Sequence, residues 1–514
     1  MSEQQSPYRI WPIITGLLLA AAAWWFLPVV TSAGGAGLSE AGRAVACIGV
    51  LMAVWWMTEA LPIEITGLVP LAAFPLLGAV SIEHAAAAYA DKIIFLFLGG
   101  MLLGQAMEVW GLHKRFALST IAFFGSRPSR LVGAFLFSTA AVSMFVSNTA
   151  ATIMMLPIGA SVATWVKGHL KDDFSEGAHK CRAVLGPSIV LAIAFGASIG
   201  GVGTVIGTPP IAQFAAFMKG VSHEVTFVEW LKIGLPTLAL VLPLAWLVLT
   251  QVVFRIPLRD VPGVRQELRG ELRALGRMSQ AEWAVLVIFG SAAACWVGSR
   301  WLEVDDSVIA IAAAVLLFAV PVRDTTRSAG MMNPPVPIQA GIEVPAANAR
   351  GNRALLTWRE AERVPWGILL LFGGGLSLAA AIKETKVDLY IAQMADGLTG
   401  VPLLPLLWLI ALVTIVLTEF TSNTALVAAG LPVAAAIAGR LDIPPAAILV
   451  TVALTASLGF MLPAGTAPNA LVFASGHVTM RQMMKAGFLL DLSCAFFVPL
   501  LVIAAMKLGV LPGL

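Results

Sequence analysis

The sequence predicts an all-α polytopic membrane protein, and three observations carry that prediction. Of its 514 residues 59% are hydrophobic and only 12% charged, against roughly 45–50% and about 25% in soluble globular chains. Apolar stretches of about 20 residues, the length that crosses a hydrocarbon core, recur from end to end. The short alternating segments of a membrane β-barrel are missing. The same numbers exclude a soluble enzyme, a disordered chain and a nucleic-acid binder. The formal charge of +3 is too balanced to imply an acidic partner.

The apolar segments fall at 11–31, 41–60, 65–80, 93–112, 131–166, 183–219, 230–254, 282–302, 307–322, 365–382, 402–440, 446–475 and 486–511. The first follows a single arginine, Arg9, and is expected to be a retained span rather than a cleaved leader. Segments 131–166 and 402–440 are too long for one pass at about 1.5 Å per residue. Each has a Ser-Asn-Thr triplet near its middle. They are expected to be re-entrant hairpins, whose non-helical tips are tolerable only where they line a protein cavity. Segments 183–219 and 446–475 are interrupted by the Gly/Pro-rich runs SIGGVGTVIGTPPIA and SLGFMLPAGTAPNA. Broken helices in matching positions of two halves point to a transporter's binding site. The more polar 113–130 and 383–400 are expected to be interfacial helices leading into the hairpins. The stretch 331–351 is expected to be an irregular connection.

The two halves repeat. IIFLFLGGMLLGQAMEVW (93–110) aligns without gaps to ILLLFGGGLSLAAAIKET (368–385), with seven identities at an offset of 275. The same offset carries Ser147-Asn148-Thr149 onto Ser422-Asn423-Thr424 and Leu156-Pro157 onto Leu431-Pro432. Gly207-Thr208 then pairs with Gly465-Thr466 at an offset of 258, the polar connection 168–182 accounting for the missing residues. Arginines concentrate in 255–280 and 323–363, which the positive-inside rule makes cytoplasmic. The second repeat therefore starts inside and the first outside, an inverted pair. Counting through gives 11 transmembrane helices plus two opposed hairpins, a cytoplasmic N-terminus and an external C-terminus. The expected domains are 1–92, N-terminal scaffold helices; 93–254, the first repeat; 255–364, basic loops around a scaffold helix pair; and 365–514, the second repeat with the last helix.

At each triplet one helix ends and another begins. Carbonyls of the ending helix favour a cation, and N–H groups of the starting helix favour an anion. Two pseudo-symmetric cation sites follow. One uses Ser143, Ser147, Asn148 and the Gly207 carbonyl; the other uses Thr418, the Thr421 carbonyl, Asn423 and Gly465. Neutral oxygen ligation without a carboxylate cage suits Na⁺ better than a transition metal. Segments 131–166, 183–218 and 443–480 contain no Lys, Arg, Asp or Glu, and 401–439 contains only Glu419. An anion must then be held by helix N-termini, hydroxyls, amides and bound Na⁺, and Na⁺ binding first would supply charge and order the tips. Glu419 is expected to bond backbone or pair within its hairpin rather than to ligate a cation. Cys47, Cys181, Cys295 and Cys494 lack metal or disulfide spacing, and the six histidines are scattered. No organic cofactor and no ATP-binding loop is expected.

The paired SNT motifs, WWMTEALP (55–62), FLGGMLL, LLFGGGLSLA (370–379), GTPP and APNALVFASG (467–476) resemble the divalent anion:sodium symporter family over nearly the whole chain. The resemblance implies an elevator-type homodimer in an inner (plasma) membrane, carrying dicarboxylates, tricarboxylates or sulfate with several Na⁺. It places substrate contacts on Ser147, Asn148, Thr149, Thr208, Ser422, Asn423, Thr424 and Thr466. Ile211 stands where the family usually has Asn, and Ala467 where it has Pro. The expected function is sodium-coupled import of small divalent anions, C4-dicarboxylates such as succinate first. A sodium-independent dicarboxylate exchanger, or a sulfate or tricarboxylate symporter, would share the fold. A channel and a membrane-embedded enzyme are more distant alternatives, the latter wanting a catalytic group that these segments lack.

Overall fold

The computed structural model describes residues 10–29, 37–124, 127–169, 176–221, 224–256, 270, 272–323, 352–394, 397 and 400–510. Among them, nine helices are long and apolar enough to cross a membrane. Two of the nine, Asn148–Val166 and Asn423–Arg440, are hairpin arms. Three expected spans, Ile10–Phe26, Ile63–Leu76 and Asp306–Ala319, are shorter apolar helices. The protein is therefore a multi-pass, helical membrane protein. The expected connection at 331–351 lies outside the described residues.

The repeat is visible in the helix bounds. Lys92–Val109 and Gly367–Glu384 are both 18 residues long and start 275 positions apart. Pro128–Ser143 and Leu403–Thr418 are both 16 residues long at the same offset. Asn148 and Asn423 each open the following helix. Phe97 and Phe372, equivalent positions of the two halves, touch with ring centroids 5.2 Å apart.

Each hairpin clasps the broken helix that follows it. Glu176–Gly201 packs against both Pro128–Ser143 and Asn148–His169, and Pro445–Ser457 packs against both Leu403–Thr418 and Asn423–Arg440. Glycine makes the first clasp close: a Cβ on Gly200 would sit 2.2 Å from the Ala140 carbonyl, and one on Gly196 2.5 Å from that of Leu136. Such backbone-to-backbone approach through small residues is how helices associate where no hydrophobic drive separates them from lipid. The segments beyond the breaks cross over. Pro209–Val221 packs on the second hairpin's Asn423–Arg440, and Ala467–Ala474 on the first hairpin's Asn148–His169.

One expectation needs amendment. The polar connection after the first hairpin is shorter than 168–182, because the broken helix already starts at Glu176. The segment after Gly111 forms a helix, Leu112–Phe124, with Ala117, Leu118 and Ile121 fully buried and packed on the first hairpin arm. Its apolar stripe faces protein on the way into that hairpin. A two-stranded antiparallel pair, Pro321–Arg323 with Asn352–Ala354, brings together the two ends of the connection that holds 331–351.

Candidate anion and cation site

Both hairpin tips are built on one plan. The Ser143 hydroxyl lies 2.8 Å from Oδ1 of Asn148 and 2.7 Å from the Ala197 carbonyl. The Thr418 hydroxyl lies 2.6 Å from Oδ1 of Asn423 and 2.7 Å from the Ala456 carbonyl. Each hydroxyl thus ties a tip to the broken helix beside it. A hydroxyl has one hydrogen and a carbonyl can only accept, so the hydrogen serves one contact at a time. If it goes to the carbonyl, the Asn amide meets the hydroxyl oxygen through its NH₂ and keeps its own oxygen for another donor or a cation. Which way the amide faces is an assignment from hydrogen-bond logic.

Carbonyls gather behind each tip. A Cβ on Gly207 would meet the carbonyl oxygens of Gly201 at 2.4 Å and Met144 at 3.0 Å. One on Gly465 would meet the Thr418 carbonyl and Glu419 Oε2, each at 3.3 Å. Glycine is required at Gly207 by this approach, since backbone oxygen cannot yield as a side-chain end can. Thr204 donates its hydroxyl to Met144 O, fixing the first break against the first tip.

A single cavity of about 630 Å³ collects the predicted substrate contacts. Ser147, Asn148, Thr149, Thr208, Ser422, Asn423, Thr424 and Thr466 all line it, as do Gly207 and Gly465. Of the predicted cation ligands, Ser143, Thr418 and Thr421 are buried and lie behind its wall. The Thr421 hydroxyl donates to Leu417 O at 3.0 Å.

Four helices begin at this cavity, at Asn148, Pro209, Asn423 and Ala467. A helix N-terminus carries roughly half a positive charge, so four supply about two without any basic side chain. Pro209, Pro210 and Pro468 sit in the first turns of two of them, where a missing N–H costs no hydrogen bond. The Thr466 hydroxyl oxygen accepts from Asn469 N at 3.3 Å, leaving its hydrogen free to donate toward a bound anion.

Three features of the wall escaped the sequence. Gln105, Glu108 and Arg363 line the cavity, and the exposed Glu108 and Arg363 mark where it reaches the surface. No spacing motif announces them, because they come from a helix end and a basic loop that the fold brings to the mouth. Conversely, Ile211 and Asn469 are fully buried off the cavity. Asn469 donates Nδ2 to Leu462 O at 3.1 Å, bracing the second break. The Ile211 departure therefore forgoes a brace, a job that Thr204 does in the first half, and deletes no cavity-lining group. Glu419, 1% exposed, accepts from Met461 N at 2.9 Å and Leu462 N at 2.6 Å, the backbone role expected for it.

The family model of the sodium:sulfate symporter transmembrane region matches residues 9–511. The chain belongs to that family. It is a membrane transporter and not an enzyme. It is 36% identical over 478 residues to the sodium-dependent dicarboxylate transporter SdcS of Staphylococcus aureus strain bovine RF122 / ET3-1, covering 91% of this chain and 86% of the relative. The SdcS of strain MRSA252 is 36% identical over 472 residues, covering 90% and 85%. Among solved structures, the YdaH transporter of Alcanivorax borkumensis superposes with a TM-score of 0.54 at 13% identity, over 98% of both chains. That likeness concerns the fold alone.

Proposed function

We propose that this transporter imports small divalent anions, C4-dicarboxylates such as succinate foremost, in symport with Na⁺. The observation that carries the proposal is the convergence of four helix N-termini and both SNT triplets on one cavity. Neutral donors and dipoles there can balance a dianion, while the carbonyls and hydroxyls behind each tip offer hard oxygen ligands to Na⁺. The SdcS relatives, named for sodium-dependent dicarboxylate transport, support the same substrate and coupling ion.

In this proposal Ser147, Asn148, Thr149, Thr208 and their second-half equivalents Ser422, Asn423, Thr424 and Thr466 contact the anion. Ser143, Ser147, Asn148 and Gly207 hold one Na⁺, and Thr418, Thr421, Asn423 and Gly465 another. The chain crosses an inner membrane 11 times with two re-entrant hairpins, its N-terminus cytoplasmic and C-terminus external. It works as an elevator-type homodimer whose hairpins and broken helices carry the anion past the other helices. On this reading the mouth at Arg363, on the arginine-rich side, opens to the cytoplasm, and the present conformation is the inward-facing one. At the opposite end of Lys92–Val109, Lys92 bonds Asp305 and Glu224, Lys219 lies 3.0 Å from Asp91, and Lys383 donates to Gly220 O at 2.7 Å. These contacts tie neighbouring helices together at that end, where Asp91, Lys219, Gly220 and Lys383 also line a second cavity of about 990 Å³.

The test is uptake of radiolabelled succinate into proteoliposomes, with Na⁺ replaced by choline and with citrate, sulfate and aspartate as competitors. Uptake that needs Na⁺ and is blocked best by C4-dicarboxylates is the expected result. Equal uptake in choline would overturn symport, and preferential block by sulfate would overturn the substrate.

A further inference from the structure

The two halves match in backbone but differ sharply behind the breaks. Met144 and Glu419 are equivalent, 275 positions apart, each immediately after the tip hydroxyl residue. The last helix of each half opens with a capping box, Thr226 with Glu229 and Thr479 with Gln482. Aligning those boxes makes Leu238 the equivalent of Asp491. In the first half, Met144 and Leu238 converge on the break, each 3.0 Å from a Cβ placed on Gly203. In the second half the same two positions are carboxyls that converge on the break.

Asp491 is 5% exposed and its Oδ1 accepts from Phe460 N at 3.0 Å. Its carboxyl also meets that of Glu419. Between them the pair accepts three consecutive backbone N–H groups, from Phe460, Met461 and Leu462. The last helix packs on Leu403–Thr418, Pro445–Ser457, Phe227–Leu247 and the π-helical turn Val248–Val253. Apart from Glu229 and Lys232 near the start of Phe227–Leu247, these segments contain no ionisable side chain. Burying carboxyls among apolar helices is costly. The first half closes the same junction with a thioether and an isobutyl group, so the fold itself does not require the acids.

We propose that Asp491, acting through Glu419, is a positioning residue for the second cation site, and that it makes the two sodium sites unequal. The pair fixes the course of 460–462, from which the chain runs directly to Gly465 and Thr466. Glu419 also follows Thr418, whose carbonyl faces Gly465, and puts carboxyl oxygen beside that space. The second Na⁺ is thus held by a braced backbone next to an acid, and the first by neutral packing. The inference rests on the sodium-coupled reading above and goes beyond it.

The experiment makes the halves alike. Asp491→Leu and the double variant Glu419→Met/Asp491→Leu copy the first half, and Asp491→Asn keeps the hydrogen-bonding shape. Na⁺ titrations are read twice, by thermal stabilisation of the purified protein and by succinate uptake. Asp491→Leu and the double variant should raise the half-saturating Na⁺ concentration about tenfold, the scale of losing a charge-assisted bond. Their KM for succinate at saturating Na⁺ should move less than about twofold, and Asp491→Asn should stay near the parent in both readouts. Unchanged Na⁺ dependence in folded Asp491→Leu overturns the inference alone. So does an Asp491→Asn protein as impaired as Asp491→Leu, a comparison that stands even if the double variant does not fold. A parent protein indifferent to Na⁺ in both readouts overturns the proposed function as well.

Discussion

Ser143 and Thr418 are the same residue of two repeats in structural terms: each hydroxyl is shared between the Asn five positions later and a carbonyl of the neighbouring broken helix. Serine at one and threonine at the other means that the shared requirement is the hydroxyl. Ser143→Thr should therefore keep uptake close to the parent, provided that its extra methyl is accommodated. Ser143→Ala should raise the half-saturating Na⁺ concentration about fivefold, as expected for a hydrogen bond worth about 1 kcal/mol. Na⁺ titration of uptake in proteoliposomes separates the two.

Asn148 and Asn423 each open a hairpin helix at the cavity and carry the amide that meets the tip hydroxyl. Asn148→Ala and Asn423→Ala should each abolish succinate uptake while the purified protein keeps the parent's elution volume and helical circular dichroism. Either variant transporting at the parent rate would remove the proposed site.

The glycines behind the tips differ in the room they leave. Alanine at Gly207 would drive a methyl to 2.4 Å from the Gly201 carbonyl, whereas at Gly465 the nearest oxygens stand at 3.3 Å. Gly207→Ala should thus eliminate Na⁺-dependent uptake. Gly465→Ala should leave a working protein whose half-saturating Na⁺ concentration rises a few-fold, by the cost of a small local displacement. Uptake measured across Na⁺ concentrations orders the pair.

Packing at the first clasp can be tested without transport. A methyl on Gly200 would lie 2.2 Å from Ala140 O and 2.5 Å from its Cα, while a Cβ on Gly439 meets nothing within 4 Å. Gly200→Ala should cost roughly 1–3 kcal/mol or more through overpacking. Gly439→Ala should be neutral or gain up to about 1 kcal/mol from helix propensity. Thermal melts of the two variants in detergent give the comparison.

Much of this organisation was legible because it rests on backbone needs that the sequence must spell out. A helix that stops and restarts in a membrane has to supply its own polar tip, so Ser147-Asn148-Thr149 and Ser422-Asn423-Thr424 stand out from apolar surroundings. Gly207 is visible because its close approach to the Gly201 carbonyl admits little else, and Gly465 because it is the repeat equivalent of Gly207 beside a second Thr. Arg363 and Glu108 were not legible as part of the wall, since a charged residue near a span end has the same sequence context whether it faces solvent or a cavity mouth. Asp491 was hidden for the opposite reason. Its meaning comes from a partner 72 positions away in the chain and from the contrast with Leu238, and both emerge only when the two last helices are superposed on their capping boxes. The role of Asn469 also needed coordinates, because an amide next to a binding motif is as able to brace the backbone as to face the ligand.

The near-coincidence of helix boundaries between the halves gives experimenters an internal control. Any side chain suspected of a job at one tip has a counterpart holding the same backbone position at the other. Exchanging the two amino acids within one polypeptide changes neither its composition nor its length. A phenotype from such an exchange reports on location alone, a distinction that ordinary alanine substitution cannot draw.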